Sequence, residues 1–152
     1  MPSQSYEGLA IRKGVYSRGA TMKELTPGAR CVLLADRHHG LCEGVRMLLS
    51  SMFEVVVMVA DEPSLIESAS RLHPALAVVD LSLARRGDTR WLLDLRAGNP
   101  GLKVIVISVH DEAGVEQAAK AAGASAFVLK RAIATDLLPA AEALLAGRPY
   151  PS

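Results

Sequence analysis

The sequence predicts an α/β fold in which helices cover both faces of a doubly wound parallel sheet. Three observations lead to this prediction. The chain has 152 residues, a length that suits one domain. Five short apolar runs lack the alternation of half-exposed strands, as expected for strands buried on both faces of a parallel sheet. The intervals between these runs carry helical spacing.

The predicted strands are apolar segments of strand length. Most of them are rich in Val or Ile, which favour extended backbone. They cover residues 31–35, 55–60, 75–79, 104–107 and 126–129. No regular period precedes the first of them.

Helical periodicity fills the intervals between the strands. The apolar sets are Leu41, Val45, Leu48 and Leu49; Leu65, Ala69 and Leu72; Leu92 and Leu95; Val115, Ala118, Ala119 and Ala122; and Leu137, Ala141, Leu144 and Leu145. Gly123 and Gly147 are expected to cap the fourth and fifth helices at their carboxyl ends. Pro139 lies inside the fifth pattern, where we expect it to kink the helix or delay its start.

Strand and helix therefore alternate five times. Right-handed crossovers restrict such a chain to few topologies. We expect a flavodoxin-like sheet of five parallel strands in the order 2-1-3-4-5, with five helices.

Composition and charge exclude several classes of protein. With 50% apolar and 22% charged residues the chain is not disordered, and its apolar runs are too short to cross a membrane. A net charge of +1 excludes a strong basic field, so we expect no direct binding of nucleic acid. Cys31 and Cys42 form neither a disulfide framework nor a metal site, and we expect two buried thiols, as in a cytoplasmic protein.

The charge is unevenly distributed along the chain. Residues 1–30 hold five Lys or Arg and two Glu, a net +3, whereas the remainder carries −2. We predict a flexible amino-terminal arm at residues 1–30, a domain at residues 31–147, and the start of a linker or tail at residues 148–152. Met22 is an alternative native start.

Polar residues follow four of the predicted strands. They are Asp36, Asp80, Ser108 and Lys130. Ligands bind beyond the carboxyl ends of strands in such sheets, so these groups are expected to converge. Asp80 can act as a nucleophile toward a phosphoryl group, with charge and hydrogen bonds from Lys130 and Ser108, and Asp36 is a candidate ligand for a divalent cation.

These residues stand in segments that resemble a response-regulator receiver domain, most closely those of LuxR- or NarL-type regulators. The segments are VLLADRHHGLCEGVRMLL from Val32, VVDLSL around Asp80, VIVISVHDE around Ser108 and GASAFVLK ending at Lys130. The resemblance covers about residues 31–147.

The resemblance implies that Asp80 accepts a phosphoryl group from a histidine kinase in a cytoplasmic two-component pathway. It implies that Ser108 and Phe127 form a switch pair, in which the ring turns inward and the face of the fourth helix, fifth predicted strand and fifth helix changes its affinity for a partner or a second copy of the chain. Regulation of transcription would then pass through an output domain absent here. Magnesium would be held by Asp36, Asp80 and the main-chain carbonyl of Ser82.

Arg37 is the main departure from the family pattern, because a second acid usually stands there as the principal side-chain ligand of magnesium. One interpretation directs Arg37 to solvent. The other directs its guanidinium toward Asp80, where it lowers the pKa of Asp80 and makes magnesium binding weak or absent.

Several alternatives remain open. A pseudo-receiver would keep the fold and bind a partner without phosphorylation. A phosphatase of the haloacid dehalogenase type needs an acid where Ser82 stands, and a flavin protein needs a phosphate-binding loop after the first strand. A metal site of His38 and His39 with Asp36 and Asp80 is also disfavoured, because His is common at the first of these positions in the subgroup that the chain resembles.

Overall fold

Within the described residues the sheet has six strands, one more than the sequence predicts. The computed structural model describes residues 15–17, 30–83 and 88–150, with the backbone alone at 15–17 and 39–41. The strands are β1 (Val15–Ser17), β2 (Cys31–Ala35), β3 (Val55–Val59), β4 (Leu76–Asp80), β5 (Lys103–Ser108) and β6 (Ala126–Leu129). Strands β2 to β6 are parallel and lie in the order β3-β2-β4-β5-β6, which confirms the predicted order 2-1-3-4-5.

Five α-helices alternate with the parallel strands in the described part of the chain. They are α1 (His39–Leu49), α2 (Glu62–Leu72), α3 (Arg90–Gly98), α4 (Ala113–Ala121) and α5 (Ile133–Leu145). Gly123 and Gly147 follow α4 and α5 with φ of 116° and 76°, as expected of carboxyl-terminal caps. None of these helices has the length and apolar character needed to span a membrane.

Strand β1 lies within the predicted amino-terminal arm. Its backbone pairs antiparallel with the outer edge of β3, with Val15 opposite Val57 and Ser17 opposite Val55. A strand at the edge of a sheet has unpaired N–H and C=O groups, and a nearby segment can pair with them without an apolar pattern of its own. The other arm residues up to 29, Met22 among them, lie outside the described residues, as do positions 151–152 of the predicted tail.

Two apolar layers cover the two faces of the sheet. Leu33 and Ala35 of β2 pack in the layer under α2, α3 and α4, whereas Val32 and Leu34 pack in the layer under α1 and α5. All four side chains are fully buried. Burial on both faces explains why the strands show no alternation, and each buried large aliphatic side chain contributes about 2 kcal/mol to folding.

Helix α5 continues through Pro139. The helix begins at Ile133 and ends at Leu145, so the proline does not delay its start. Pro139 and Thr135 are both exposed, so water has access to the Thr135 carbonyl, which cannot accept a bond from residue 139 because proline has no N–H. Water can therefore satisfy this carbonyl.

The two cysteines are unpaired and buried, as predicted. Burial raises the pKa of both the Cys31 and Cys42 thiols to about 12. Both therefore pack as small apolar side chains.

Candidate functional site

Three strand ends bring charged groups together at the carboxyl edge of the sheet. Asp36 follows β2, Asp80 ends β4 and Lys130 follows β6. The ammonium Nζ of Lys130 donates to Oδ2 of Asp36 and to Oδ2 of Asp80, each at 3.1 Å. The structure thus joins three of the four polar groups that the sequence places at this edge.

Burial and hydrogen bonding set the charge state of this cluster. Asp36 and Asp80 are each 2% exposed. Burial by itself would raise the pKa of Asp80, but hydrogen bonds from Ser82 and from Lys130 outweigh it, so the pKa of Asp80 lies below its usual 3.8. Burial would lower the pKa of Lys130, and its bonds to the two carboxylates raise that pKa above 10.5. At neutral pH the cluster therefore holds an ionised Asp80 and a charged Lys130.

Ser82 binds Asp80 through two donors. Its backbone N–H donates to Oδ1 at 3.1 Å, and its hydroxyl donates to Oδ2 at 2.9 Å. The short 3₁₀ turn Leu81–Leu83 directly after β4 places both groups. Within a receiver pocket, the family resemblance assigns a role only to the carbonyl of Ser82. The available signal was Asp80 itself, because an Asp side chain often accepts from the backbone N–H two residues on in a turn.

His38 contacts both carboxylates. Its Nδ1 lies 3.0 Å from Oδ1 of Asp36 and 3.6 Å from Oδ2 of Asp80, and its backbone N–H donates to Oδ1 of Asp36 at 2.8 Å. The His38 side chain is 61% exposed and therefore lies where the pocket meets solvent. Sequence patterns alone assign little weight to His38, and the side chain of His39 lies outside the described residues.

Arg37 does not enter the pocket. It is exposed, and it makes no hydrogen bond or ion pair within the described residues. The hypothesis that its guanidinium reaches toward Asp80 is therefore wrong. The pKa of Asp80 is lowered, as that hypothesis expected, but Ser82 and Lys130 lower it.

Ser108 ends β5 and Phe127 lies within β6, and neither joins the charged cluster. Ser108 is 1% exposed, and its hydroxyl accepts a bond at 2.9 Å from the N–H of His110 instead of contacting Asp80. The ring of Phe127 is 8% exposed and packs in the same apolar layer as Ala119 of α4. A cavity of about 80 Å³ beside the ring is also lined by Leu129 and the first residues of α4.

Comparison with known proteins places this arrangement in a family. The model of the response regulator receiver domain matches residues 32–142. The chain belongs to the response-regulator receiver family. The transcriptional regulatory protein DegU of Brevibacillus brevis is 27% identical over 121 residues, which are 78% of this chain and 51% of that protein.

Solved receivers share the fold. A two-component response regulator of the LuxR family from Aurantimonas sp. SI85-9A1 has a TM-score of 0.70 at 26% identity, covering 80% of this chain and 89% of that chain. The non-phosphorylated receiver domain of the stress response regulator RcsB from Escherichia coli has a TM-score of 0.68 at 27% identity. The match covers 82% of this chain and 100% of that chain. This receiver spans about half the length of the curated relatives that it matches.

Proposed function

We propose that this receiver accepts a phosphoryl group on Asp80 from a histidine kinase in a cytoplasmic two-component pathway. The observation that carries the proposal is the ionised Asp80 carboxylate held 3.1 Å from the ammonium of Lys130. A carboxylate must be deprotonated to act as a nucleophile. The phosphoryl group brings further negative charge into the pocket, and Lys130 is placed to offset it.

The reaction is a transfer without change of oxidation state. An oxygen of Asp80 forms a bond to phosphorus while the bond from phosphorus to the kinase histidine nitrogen breaks, and that nitrogen keeps the electron pair. With acetyl phosphate as donor, the leaving group is acetate. The product is an acyl phosphate on Asp80, and positioning with charge neutralisation supplies most of the catalysis in this chemistry.

Magnesium, the ion implied by the family resemblance, is poorly matched to this donor set. Mg²⁺ requires near-octahedral oxygen ligands. Both carboxylates already accept from Lys130, an imidazole nitrogen lies between them, and the exposed Arg37 replaces the second acid. We therefore assign charge neutralisation to Lys130, and we expect magnesium binding to be weak or absent.

Transmission of the signal would start at Ser108. In the proposed switch, the Ser108 hydroxyl exchanges its bond from the His110 N–H for an oxygen of the phosphoryl group. The β5–α4 loop then moves with it, while the already buried ring of Phe127 adjusts beside its cavity. This would change the affinity of the α4–β6–α5 face for a partner or a second copy of the chain.

The output of the pathway is inferred from the relatives. The Brevibacillus brevis relative is a transcriptional regulatory protein, and this chain spans about half its length. We propose that the receiver regulates transcription through an output domain. Contact with DNA would be made by that domain.

Incubation with acetyl phosphate followed by intact-mass measurement tests the acceptor. We expect one added phosphoryl group on the wild-type chain and none on Asp80→Asn. Asp94→Asn is the matched control, because Asp94 is an exposed carboxylate on α3. An adduct that persists in Asp80→Asn, or its loss in Asp94→Asn, contradicts the assignment of Asp80.

A phosphorylation-independent interaction module is the second candidate. The replacement of an acid by Arg37 favours it. It predicts no adduct on the wild-type chain with either acetyl phosphate or a phosphorylated kinase. The mass measurement therefore separates the two functions.

A further inference from the structure

The imidazole of His38 stands beside the acceptor carboxylate and has no part in the proposed phosphoryl transfer. We propose that His38, oriented by Asp36, is the general base that activates water to hydrolyse the acyl phosphate on Asp80. This residue would thereby limit the lifetime of the phosphorylated chain. The inference rests on the proposed phosphorylation of Asp80 and concerns the step that follows it.

Hydrogen bonds to Asp36 assign the proton of the imidazole to one of its nitrogens. Oδ2 of Asp36 accepts from the ammonium of Lys130 at 3.1 Å, and Oδ1 accepts from the backbone N–H of His38 at 2.8 Å. Nδ1 of His38 lies 3.0 Å from the same Oδ1. Because both carboxylate oxygens act as acceptors, this contact requires an N–H at Nδ1. The neutral imidazole therefore keeps a free lone pair on Nε2.

The same contacts hold the ring at the mouth of the pocket. Nδ1 of His38 also lies 3.6 Å from Oδ2 of Asp80. The His38 side chain is 61% exposed, whereas both carboxylates are buried. An aspartate that binds the Nδ1–H of a histidine and leaves Nε2 free is the arrangement by which hydrolytic enzymes orient a general base. Asp36 and His38 have this arrangement beside Asp80.

The direction of attack brings water to the same side of the pocket. Water attacks phosphorus in line with the bond that breaks, from the side opposite the leaving oxygen. Asp80 is buried, and its oxygens face Ser82 and Lys130. A phosphoryl group on Asp80 would therefore extend toward solvent, and the attacking water would come from beyond it. The exposed part of the His38 ring lies on this side.

The step is a hydrolysis without change of oxidation state. The oxygen of a water molecule forms a bond to phosphorus while one of its protons passes to Nε2 of His38. The bond between phosphorus and the Asp80 oxygen breaks, and that oxygen keeps the electron pair. Inorganic phosphate leaves, the Asp80 carboxylate again pairs with Lys130, and the imidazolium returns its proton to solvent.

The lifetime of the adduct tests this role. Wild type and His38→Ala are phosphorylated with acetyl phosphate, separated from the donor and followed by intact mass. We expect His38→Ala to lose the adduct at least about tenfold more slowly, and added imidazole to restore part of the rate in this variant only. His73→Asn is the matched control and should behave as wild type. His73 is exposed between α2 and β4, at the opposite edge of the sheet, and Asn tolerates its φ of 46°.

Two results would overturn the role of His38 while leaving Asp80 as the acceptor. One is loss of the adduct from His38→Ala as fast as from wild type or faster, since faster loss means that the ring shields the acyl phosphate. The other is slower loss that imidazole does not restore, because that result indicates a structural effect of the substitution. If neither chain acquires an adduct, the proposed function fails and this inference fails with it.

Discussion

At the residue scale, the electrostatics of the pocket depend on Lys130. Its ammonium is 10% exposed and lies 3.1 Å from an oxygen of each of two buried carboxylates. Without it, two like charges would face each other with little solvent between them. Removing one partner of a buried ion pair is costly because the remaining charge is left uncompensated.

We expect Lys130→Met to lower the free energy of unfolding at pH 7 by about 3 kcal/mol. Urea unfolding measures this change. Lys120→Met is the control, since Lys120 pairs with Glu116 at 2.9 Å on the surface of α4 and such pairs contribute about 0.5 kcal/mol. Equal losses in the two variants would contradict the role given to Lys130.

The loss of unfolding free energy in Lys130→Met should depend on pH. The folded pKa of Asp80 lies below 3.8, so its stabilisation is present above that value and is lost as pH falls through the folded pKa. The folded pKa of Lys130 lies above 10.5, so its stabilisation is present below that value and is lost as pH rises through the folded pKa. The difference in unfolding free energy between wild type and Lys130→Met should therefore narrow below pH 3.8 and above pH 10.5. A constant difference across the titration would refute this account.

The sequence predicts which residues meet at the sheet edge better than it predicts their orientation. Asp36, Asp80 and Lys130 follow from the positions of three strand ends. The directions of Arg37 and His38 do not, because each depends on the loop backbone after β2, which no periodic pattern specifies. Arg37 turns to solvent and His38 turns to the carboxylates.

At the scale of elements, the cap after α4 is tied to α3 through one close contact. Gly123 has φ of 116°, and a Cβ added there would lie 2.7 Å from Cγ of Arg96. The Arg96 guanidinium donates to the carbonyl of Leu102, ahead of β5. A side chain at Gly123 would therefore disturb three connected segments.

Gly123→Ala should lower the free energy of unfolding by about 2 to 3 kcal/mol, because it combines an unfavourable φ with a steric conflict. Gly147→Ala, after α5, provides the comparison, since φ is 76° there and nothing lies within 4 Å of the added Cβ. Its expected cost is about 1 kcal/mol. Chemical denaturation of both variants measures the difference, and a larger loss in Gly147→Ala would show that the Arg96 contact is unimportant.

The helices show where local patterns suffice. The apolar sets predict all five, since each helix buries one face against the sheet. The expected delay in the start of α5 was wrong, because the helix begins at Ile133 and continues through Pro139, which lies on its exposed side. The rule that proline disrupts a helix takes no account of whether the proline lies on the buried or the exposed side of that helix.

At the scale of the whole molecule, the parallel core and strand β1 differ in how far they could be predicted. The core strands are apolar on both faces because helices cover both, so sequence alone indicates the fold. Strand β1 has three residues and is held by backbone pairing to β3, which lies about 40 residues away in the chain. Such a pairing depends on the edge that the rest of the sheet presents.

Removal of residues 1–29 tests how much the molecule depends on β1. The buried side chains of both apolar layers lie between Cys31 and Leu144, so the truncated chain should remain folded and lose about 1 kcal/mol or less of unfolding free energy. Hydrogen exchange in the β3 peptide should become about tenfold faster, since the edge pairing at residues 55–57 is lost. Peptides from β4 and α5 serve as internal controls. Unchanged exchange in β3 would contradict pairing by β1, whereas global unfolding would contradict a domain that is complete within residues 31–147.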